Sequence, residues 1–221
     1  MQITNNIYAF MWKSMSANNC NTYLIDGPTR ILIDPGHRHL FDHVHKGLKN
    51  LNLAIEDIGL IICTHAHPDH MEAVQLFNKM PTMITLHHKE WHFLKTMDKQ
   101  TRASIGLDVN SIAPDFFLKD GDVSVNGIDI KVFYTPGHSP GSICLYFPDQ
   151  KILFSGDLLF KGGVGRTDLP GGNGSQLKDS IKSLTQLDIE WLLPGHGEII
   201  SGATEIKTNF DRVIESVLNY I

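Results

Sequence analysis

Cysteine is scarce in this chain of 221 residues, and its pattern excludes a disulfide framework. Cys20, Cys63 and Cys144 are odd in number, widely spaced and embedded in apolar segments. Small secreted proteins that depend on disulfides carry more cysteines, in even-numbered sets. We therefore predict buried thiols in a reducing compartment, with the cytoplasm as the location.

Long apolar runs and an excess of basic charge are also missing. No run of 18 apolar residues is present, so no transmembrane helix is predicted. The first residues contain no basic stretch leading into an apolar one, which argues against a signal peptide. Nineteen Lys and Arg residues against 24 Asp and Glu residues give a net charge of −5, which disfavours a nucleic-acid groove. We predict no membrane partner and no nucleic-acid partner.

No linker or low-complexity stretch divides the sequence. Hydrophobic residues make up 42% and charged residues 19% of the chain, which is ordinary for a globular protein. A chain of this length can enclose one sizeable core. We predict a single domain over residues 1–221.

One short stretch concentrates strong metal ligands. It reads Thr64-His65-Ala66-His67-Pro68-Asp69-His70 and follows an apolar run that predicts a buried strand. Pro68 forbids a continuous helix through the stretch, so the ligands lie on a loop that leads into a helix near Asp69. A loop can direct several side chains to one point. The imidazole and carboxylate ligands, with no cysteine among them, suit zinc, iron or manganese.

Three later segments repeat one design, in which an apolar strand is followed by a glycine-containing turn with one ligand. Glycine permits the sharp turn that makes a side chain at the strand end project into a cleft. The candidate ligands of these turns are His138, Asp157 and His196. Together with the first cluster they make five histidines and two aspartates, more than one catalytic zinc requires.

Alternation and turn signals predict the elements of an α/β chain. Strands are predicted at 3–10, 21–26, 31–34, 60–63, 82–86, 142–147, 151–155 and 191–193, with a hairpin at 123–135 whose tip is Asn126-Gly127. Helices are predicted at 41–51, 71–80, 88–97, 177–187 and 205–219. Residues 161–174 are too rich in glycine for a regular element.

The segment 24–32 aligns without gaps with 145–153, and in each case an Asp-bearing glycine turn, a helix and a strand ending in histidine follow. Two generic hairpins can look alike by chance. The other interpretation is a chain of two similar halves, each a sheet covered by helices.

These motifs resemble the metallo-β-lactamase superfamily. The first cluster matches its His-x-His-x-Asp-His motif, and the later ligands follow in the same order. Val164-Gly165-Arg166-Thr167-Asp168-Leu169-Pro170-Gly171-Gly172 is similar to the glyoxalase II-like (hydroxyacylglutathione hydrolase-like) branch, although persulfide dioxygenases carry a similar Gly-Arg-Thr-Asp stretch. The resemblance covers residues 21–197 and implies a four-layer αββα sandwich with two mixed sheets flanked by helices.

The resemblance also implies a ligand set for two divalent metal ions, zinc in the first place, with iron or manganese as alternatives. The first ion would be held by His65, His67 and His138, the second by Asp69, His70 and His196, with Asp157 as a bridge. Asp69 is in addition the candidate catalytic residue.

The implied activity is hydrolysis of a small thioester or ester by a hydroxide that bridges the metals. Only 24 residues follow Gly197, whereas glyoxalase II proper has an added helical domain there, so specificity for a glutathione thioester is not implied. One alternative is a persulfide dioxygenase with one iron on His65, His138 and Asp157. Others are a lactonase or β-lactamase-like hydrolase, a nuclease, which the acidic balance disfavours, and a non-catalytic metal-binding module.

Arg166 is the candidate substrate contact, because its forked guanidinium suits a carboxylate. The alternative is that Arg166 pairs with Asp168 and only shapes the loop. The remaining histidines are predicted to lie on solvated helix faces or, in the pairs of one-turn spacing, to form adventitious surface metal sites. These are His37, His39, His43, His45, His88 and His92.

Overall fold

The structure is a computed structural model that describes residues 1–14, 16–104, 106, 108–109 and 111–216. Two compact units are present, Met1–Leu86 with Leu94–Phe117, and His87–Phe93 with Leu118–Ile221. Each unit is built on a mixed six-stranded sheet with helices. The α/β class and the two mixed sheets flanked by helices are as predicted.

The first sheet has its strands in chain order, β1-β2-β3-β4-β5-β6. The first three strands are antiparallel neighbours, and β4 lies parallel to both β3 and β5. The strands are β1 Ile7–Phe10, β2 Thr22–Ile25, β3 Arg30–Ile33, β4 Ile58–Ile62, β5 Met83–His87 and β6 Phe116–Leu118. The helices that accompany them are α1 Asp42–Asn50, α2 Pro68–Met71 and α4 Lys99–Ser104. Helix α3, His88–Thr96, follows β5 and has its first six residues in the second unit.

The second sheet has the order β14-β13-β10-β9-β8-β7. Only the β10–β13 pair is parallel. Its strands are β7 Gly121–Val125, β8 Ile128–Tyr134, β9 Ile143–Phe147, β10 Ile152–Gly156, β13 Trp191–Pro194 and β14 Ile200–Ser201. A separate two-stranded ladder pairs β11 Leu159–Phe160 with β12 Gly163–Val164, and the helices are α5 Gly174–Ser183 and α6 Ala203–Ser216.

The internal similarity seen in the sequence corresponds to one topology used in both sheets. The β2–β3 hairpin is followed by β4, which pairs parallel with β3. The β9–β10 hairpin is followed by β13, which pairs parallel with β10. Strands β4 and β13 each lead to a candidate ligand, since His65 follows the end of β4 by three residues and His196 follows the end of β13 by two.

Continuous burial of the central strands explains why they read as apolar runs. All residues of β2, β9 and β10 are buried, as expected of strands covered on both faces. In the second unit the core also includes Leu177 and Ile181 of α5 and Phe210 of α6. The three cysteines are buried free thiols, as predicted.

Several boundaries differ from the predictions for local reasons. The first strand begins at Ile7, because Ile3 and Thr4 both donate their backbone N–H to Ile7 O in a tight turn. Helix α5 begins at Gly174, because the side chain of Asn173 accepts from the N–H of Gln176 and caps it.

The segments after the first ligand cluster and before α5 were also predicted with the wrong structure. The predicted helix 71–80 is the short α2 followed by a 3₁₀ helix, Glu72–Phe77. The loop 161–174 is not wholly irregular, since it contains β12. The last helix is described as far as Ser216, so the predicted end at 217–219 lies outside the described residues.

Helices long and apolar enough to cross a membrane are absent from the described part of the chain.

Candidate functional site

The ligand segment of the first unit begins just beyond the end of β4. His67 is extended, and Pro68 starts α2, where its missing N–H is no loss. His65 and His70 are buried, and His67 and Asp69 are half-buried. The rings form a compact cluster, with centroids 4.7 Å apart for His65 and His67 and 4.1 Å apart for His65 and His70. The first unit therefore brings its candidate ligands together.

Asp34 anchors this ligand segment from the end of β3. Its carboxylate is buried and accepts hydrogen bonds from Thr64 N, Thr64 Oγ1 and His70 Nδ1, at 2.7, 2.7 and 2.9 Å. Asp34 has a φ of 51°, an uncommon left-handed conformation for a residue with a side chain. Such strain persists only where the surrounding contacts enforce it, and it is frequent at functional sites.

These contacts determine the protonation pattern of two ligand rings. Because Asp34 can only accept, the ring proton of His70 lies on Nδ1 and the lone pair on Nε2. The hydroxyl proton of Thr64 goes to Asp34, so Thr64 Oγ1 accepts from His65 Nδ1 at 3.1 Å. Metal-bound histidines usually donate their second ring N–H in this manner. Both imidazoles are thus oriented to coordinate through Nε2.

Asp69 is fixed by a neighbouring loop of the same unit. Asn18 Nδ2 donates to Asp69 Oδ2 at 2.7 Å, and the backbone N–H of Cys20 donates to Asp69 O at 3.3 Å. The hydrogen bond from Asn18 thus orients the carboxylate, and the one from Cys20 holds the backbone of Asp69.

In the second unit, two candidate histidine ligands approach one carboxylate oxygen of the third candidate ligand, Asp157. Asp157 Oδ2 lies 3.5 Å from His138 Nε2 and 3.4 Å from His196 Nε2. The side chains of His138 and Asp157 are almost fully buried, and the side chain of His196 is 27% exposed. Ligand atoms bound tetrahedrally at about 2.1 Å from one ion lie about 3.4 Å apart, so these spacings fit shared coordination.

The glycine turns that carry these ligands have the expected backbone. Gly137, Gly156 and Gly197 all have positive φ, at 139°, 48° and 77°. His138 Nδ1 donates to the backbone oxygen of Arg166 at 2.8 Å, which again leaves Nε2 for coordination.

Gly165 permits the close approach between the Arg166 loop and the ligands. A Cβ at this position would lie 1.9 Å from Asp157 O and 2.9 Å from His138 Nδ1. Any side chain at residue 165 would therefore displace two of the candidate ligands.

Glu90 supports the His138 turn from α3. Its Oε2 accepts from Gly141 N at 2.6 Å and from Ser139 Oγ at 3.0 Å, and the side chain is buried. No local sequence signal marks Glu90, so it is not among the predicted site residues. Asp34 had such a signal, because it stands in a strand-Asp-Pro-Gly turn like the other ligand turns.

Cys63 and Cys144 lie in surroundings that disfavour the thiolate form. Burial and the nearby Asp34 carboxylate raise the pKa of Cys63 well above its ordinary value. Burial raises the pKa of Cys144 to about 12. Because thiolates are the reactive form, imidazole and carboxylate groups remain the donor set.

Arg166 makes a two-pronged ion pair with Asp168. Its Nε and Nη2 donate to the two carboxylate oxygens at 2.8 and 2.7 Å, and both side chains are exposed. The hydrogen bond from Arg166 lowers the pKa of Asp168 to about 2. The loop-shaping pair considered from the sequence is thus present, and a substrate contact by Arg166 stays a prediction.

The other histidines divide into exposed and packed groups. His88 and His92 are exposed, as predicted for a helix face. The prediction is wrong for His43, whose ring packs edge-on against Trp12 at 5.0 Å and whose Nδ1 donates to Leu40 O. Burial lowers the pKa of His43, which favours the neutral ring.

The donor set and its supporting contacts define a class of protein. An α/β chain presents His and Asp side chains that belong to clusters able to hold metal ions, with ring nitrogens oriented by hydrogen-bond acceptors. These features define a metal-binding protein of the α/β class.

Comparison with known proteins identifies the family. The model of the metallo-β-lactamase superfamily matches residues 15–196. The chain belongs to this superfamily and has its fold.

Relatives of similar length are found among metallohydrolases. The probable metallo-hydrolase YqgX of Bacillus subtilis (strain 168) is 34% identical over 90% of this chain and 95% of its own length. The hydroxyacylglutathione hydrolase GloC of Haemophilus influenzae is 29% identical over 86% of this chain and 91% of its own. Among solved structures, TTHA1623 in a di-iron-bound form is 35% identical, has a TM-score of 0.70, and matches 86% of this chain and 93% of that one. The chain is thus a member of a superfamily of metallohydrolases.

Proposed function

We propose that this protein is a dinuclear metallohydrolase that cleaves a small thioester or ester. The ligands of the two ions would be His65, His67 and His138 for one, Asp69, His70 and His196 for the other, and Asp157 for both. Substrate, metal content and the joining of the two ligand sets into one centre are parts of this proposal.

The position of Asp157 carries the proposal. Its Oδ2 faces Nε2 of His138, a ligand of the first ion, and Nε2 of His196, a ligand of the second. A carboxylate between two such histidines has the arrangement that a bridging ligand requires. A single catalytic zinc needs only three protein ligands, which also favours two ions for seven donors.

Two divalent ions would supply an activated water, since coordination lowers its pKa from about 15.7 toward about 7. The residues of the chain supply the orientation. Asp34 and the backbone of Arg166 fix the rings of His70 and His138. Asn18 fixes the carboxylate of Asp69, which we propose as the catalytic group that hydrogen-bonds the attacking water.

A thioester is the substrate class that this donor set handles with least assistance. A thiol of pKa about 8.5 leaves as the thiolate without protonation, whereas an amide nitrogen needs a proton donor. The thiols of Cys63 and Cys144 are unsuited to that role because they are fully buried and not accessible to a leaving group. Hydrolysis of thioesters is therefore expected to exceed hydrolysis of amides of the same acyl group.

Two relatives support this choice. GloC is named a hydroxyacylglutathione hydrolase, and this chain matches 91% of its length. A relative that is little longer than the matched region therefore carries that name. The di-iron form of TTHA1623 concerns that protein, but it favours testing iron alongside zinc here. We also propose a cytoplasmic location, on the basis of the reduced, buried thiols.

The first experiment measures metal content per chain by mass spectrometry, on protein produced in medium containing both zinc and iron. Hydrolysis is then followed with S-lactoylglutathione, with the same acyl group on a short thiol, and with a lactone panel. The matched variants are His196→Ala, which removes a proposed ligand, and His92→Ala, which removes an exposed histidine elsewhere.

About two ions per chain and thioester hydrolysis that is lost in His196→Ala but kept in His92→Ala would support the proposal. Full retention of hydrolysis in a His70→Ala, His196→Ala double variant would refute it. One iron per chain with oxygen uptake on a persulfide would replace it by the dioxygenase. Ring opening of lactones without thioester hydrolysis would replace it by a lactonase.

A further inference from the structure

A second group of metal-ligand side chains lies in the first unit, apart from the seven residues of the proposed centre. It consists of His37, His39 and Glu72, whose ligand atoms all lie within 4.8 Å of one another. Glu72 Oε2 accepts from His37 Nδ1 at 2.6 Å and lies 3.9 Å from His39 Nδ1. Two imidazoles and a carboxylate therefore face one point.

The backbone holds this group in place. His37 N donates to Asn19 Oδ1 at 2.8 Å, and Arg38 N donates to Glu72 Oε2 at 3.3 Å. The two segments are also joined directly, since Gly36 N donates to His70 O at 3.0 Å and Ala73 N donates to Gly36 O at 2.8 Å. The side chains of His37 and Glu72 are thus already held next to each other. Ligand atoms around one tetrahedral ion lie about 3.4 Å apart, so these two must separate slightly from 2.6 Å as the ion enters, and His39 must rotate toward them.

We propose that His37, His39 and Glu72 form a peripheral site for a divalent transition-metal ion such as zinc, with solvent completing the coordination. Imidazole and carboxylate ligands suit zinc and its neighbours better than magnesium or calcium. The ion replaces the hydrogen bond between His37 Nδ1 and Glu72 Oε2, and the ring proton of the neutral imidazole is then carried by Nε2.

The exposure of the three side chains fits a site that solvent ions can enter. The side chains of His37 and Glu72 are 20% and 17% exposed, and the side chain of His39 is 69% exposed. The exposed imidazole of His39 can rotate to complete the site without disturbing the core. The bound ion would cross-link the turn after β3 to the helical segment that follows His70, and so stabilise the first unit.

This site is independent of the proposed function, because it uses none of the seven residues of the proposed centre. The test is zinc binding at equilibrium, measured as zinc per chain after dialysis against a series of buffered zinc concentrations. The variants are His39→Ala and Glu72→Gln, and the matched control is His45→Ala, which changes a histidine of α1 outside the cluster.

We expect wild type and His45→Ala to bind the same amount of zinc. His39→Ala and Glu72→Gln should each bind one zinc ion per chain less. We also expect zinc to raise the Tm of wild type by more than it raises the Tm of His39→Ala. Glu72 lies near His70, so Glu72→Gln could fold poorly. In that case the comparison of wild type with His39→Ala decides the test, since the His39 side chain is largely exposed. Equal zinc contents in wild type and His39→Ala would overturn the proposal.

Anomalous diffraction from zinc-soaked crystals locates the additional ion. A peak between His39 and Glu72 is expected in wild type, and this peak should be absent from His39→Ala. A peak only at the seven-residue centre would overturn the site. Zinc content and the anomalous peak do not depend on catalysis, so a failure of the proposed function leaves this test unchanged. If the protein does hydrolyse thioesters, His39→Ala is expected to do so at the wild-type rate.

Discussion

His70 donates its Nδ1 proton to the carboxylate of Asp34 at 2.9 Å, and both side chains are almost fully buried. The same carboxylate accepts two hydrogen bonds from Thr64. Asp34 is thus the common acceptor that fixes the loop between β4 and α2 and orients one of its rings.

Asp34→Asn should weaken metal binding, since an amide in place of the carboxylate no longer fixes the His70 proton on Nδ1. Loss of such a supporting partner typically costs 10–100-fold in metal affinity. Competition with a chromophoric chelator measures the change. Asp26→Asn is the control, because Asp26 is a partly exposed carboxylate that pairs with Arg30. Equal affinities of the two variants would contradict the role of Asp34.

Gly165→Ala should disturb the second ligand set, because the added methyl would lie 1.9 Å from Asp157 O. Overpacking of this kind typically costs about 1–3 kcal/mol. Denaturant unfolding and metal content measure the two effects. Gly163→Ala is the matched control in the same loop, since a Cβ there meets no atom within 4 Å. Similar losses in both variants would show that the loop, and not the contact with Asp157, is responsible.

Arg166→Ala should raise the KM for a carboxylate-bearing thioester about 10-fold with little change in kcat, if the guanidinium grips the substrate. That factor corresponds to about 1.4 kcal/mol, near the lower limit for a hydrogen bond to a charged group. Asp168→Asn should leave KM equal or lower, since it weakens the competing ion pair. Equal and parallel losses of kcat in both variants would instead indicate that the pair only shapes the loop.

The free energy of unfolding of the metal-free protein should decrease as the pH falls from about 6.5 to 4, with His87 as a contributor. Burial, and then the charges of His88 and Lys89, lower the pKa of His87 from 6.5 to about 4. The unfolded chain therefore binds a proton that the folded chain excludes, so stability is present above pH 6.5 and is lost below it.

His87→Gln tests this pH dependence, with His92→Gln as the exposed control. Urea unfolding at pH 7.5 and at pH 4.5 should give a smaller difference for His87→Gln than for wild type. The control should match wild type. An unchanged difference in His87→Gln would show that other groups carry the effect.

Much of the fold could be predicted from the sequence, because periodicity and turn chemistry are local. The Asn126-Gly127 hairpin has both tip residues at positive φ, and α1 and α3 end within one or two residues of their predicted bounds. Two of the boundary errors lie where a single capping or turn hydrogen bond decides, at Asn173 and at Ile7.

The sequence by itself determined the donor types, their order along the chain and their placement at strand ends. It did not determine which acceptors orient them. Asp34 lies 36 residues from His70, and Glu90 lies 51 residues from Gly141, so only the folded backbone brings these partners into contact. The pairing of His37 with Glu72 across 35 residues has the same origin. Hydrogen bonds between distant segments depend on tertiary geometry, and a linear pattern carries no record of it.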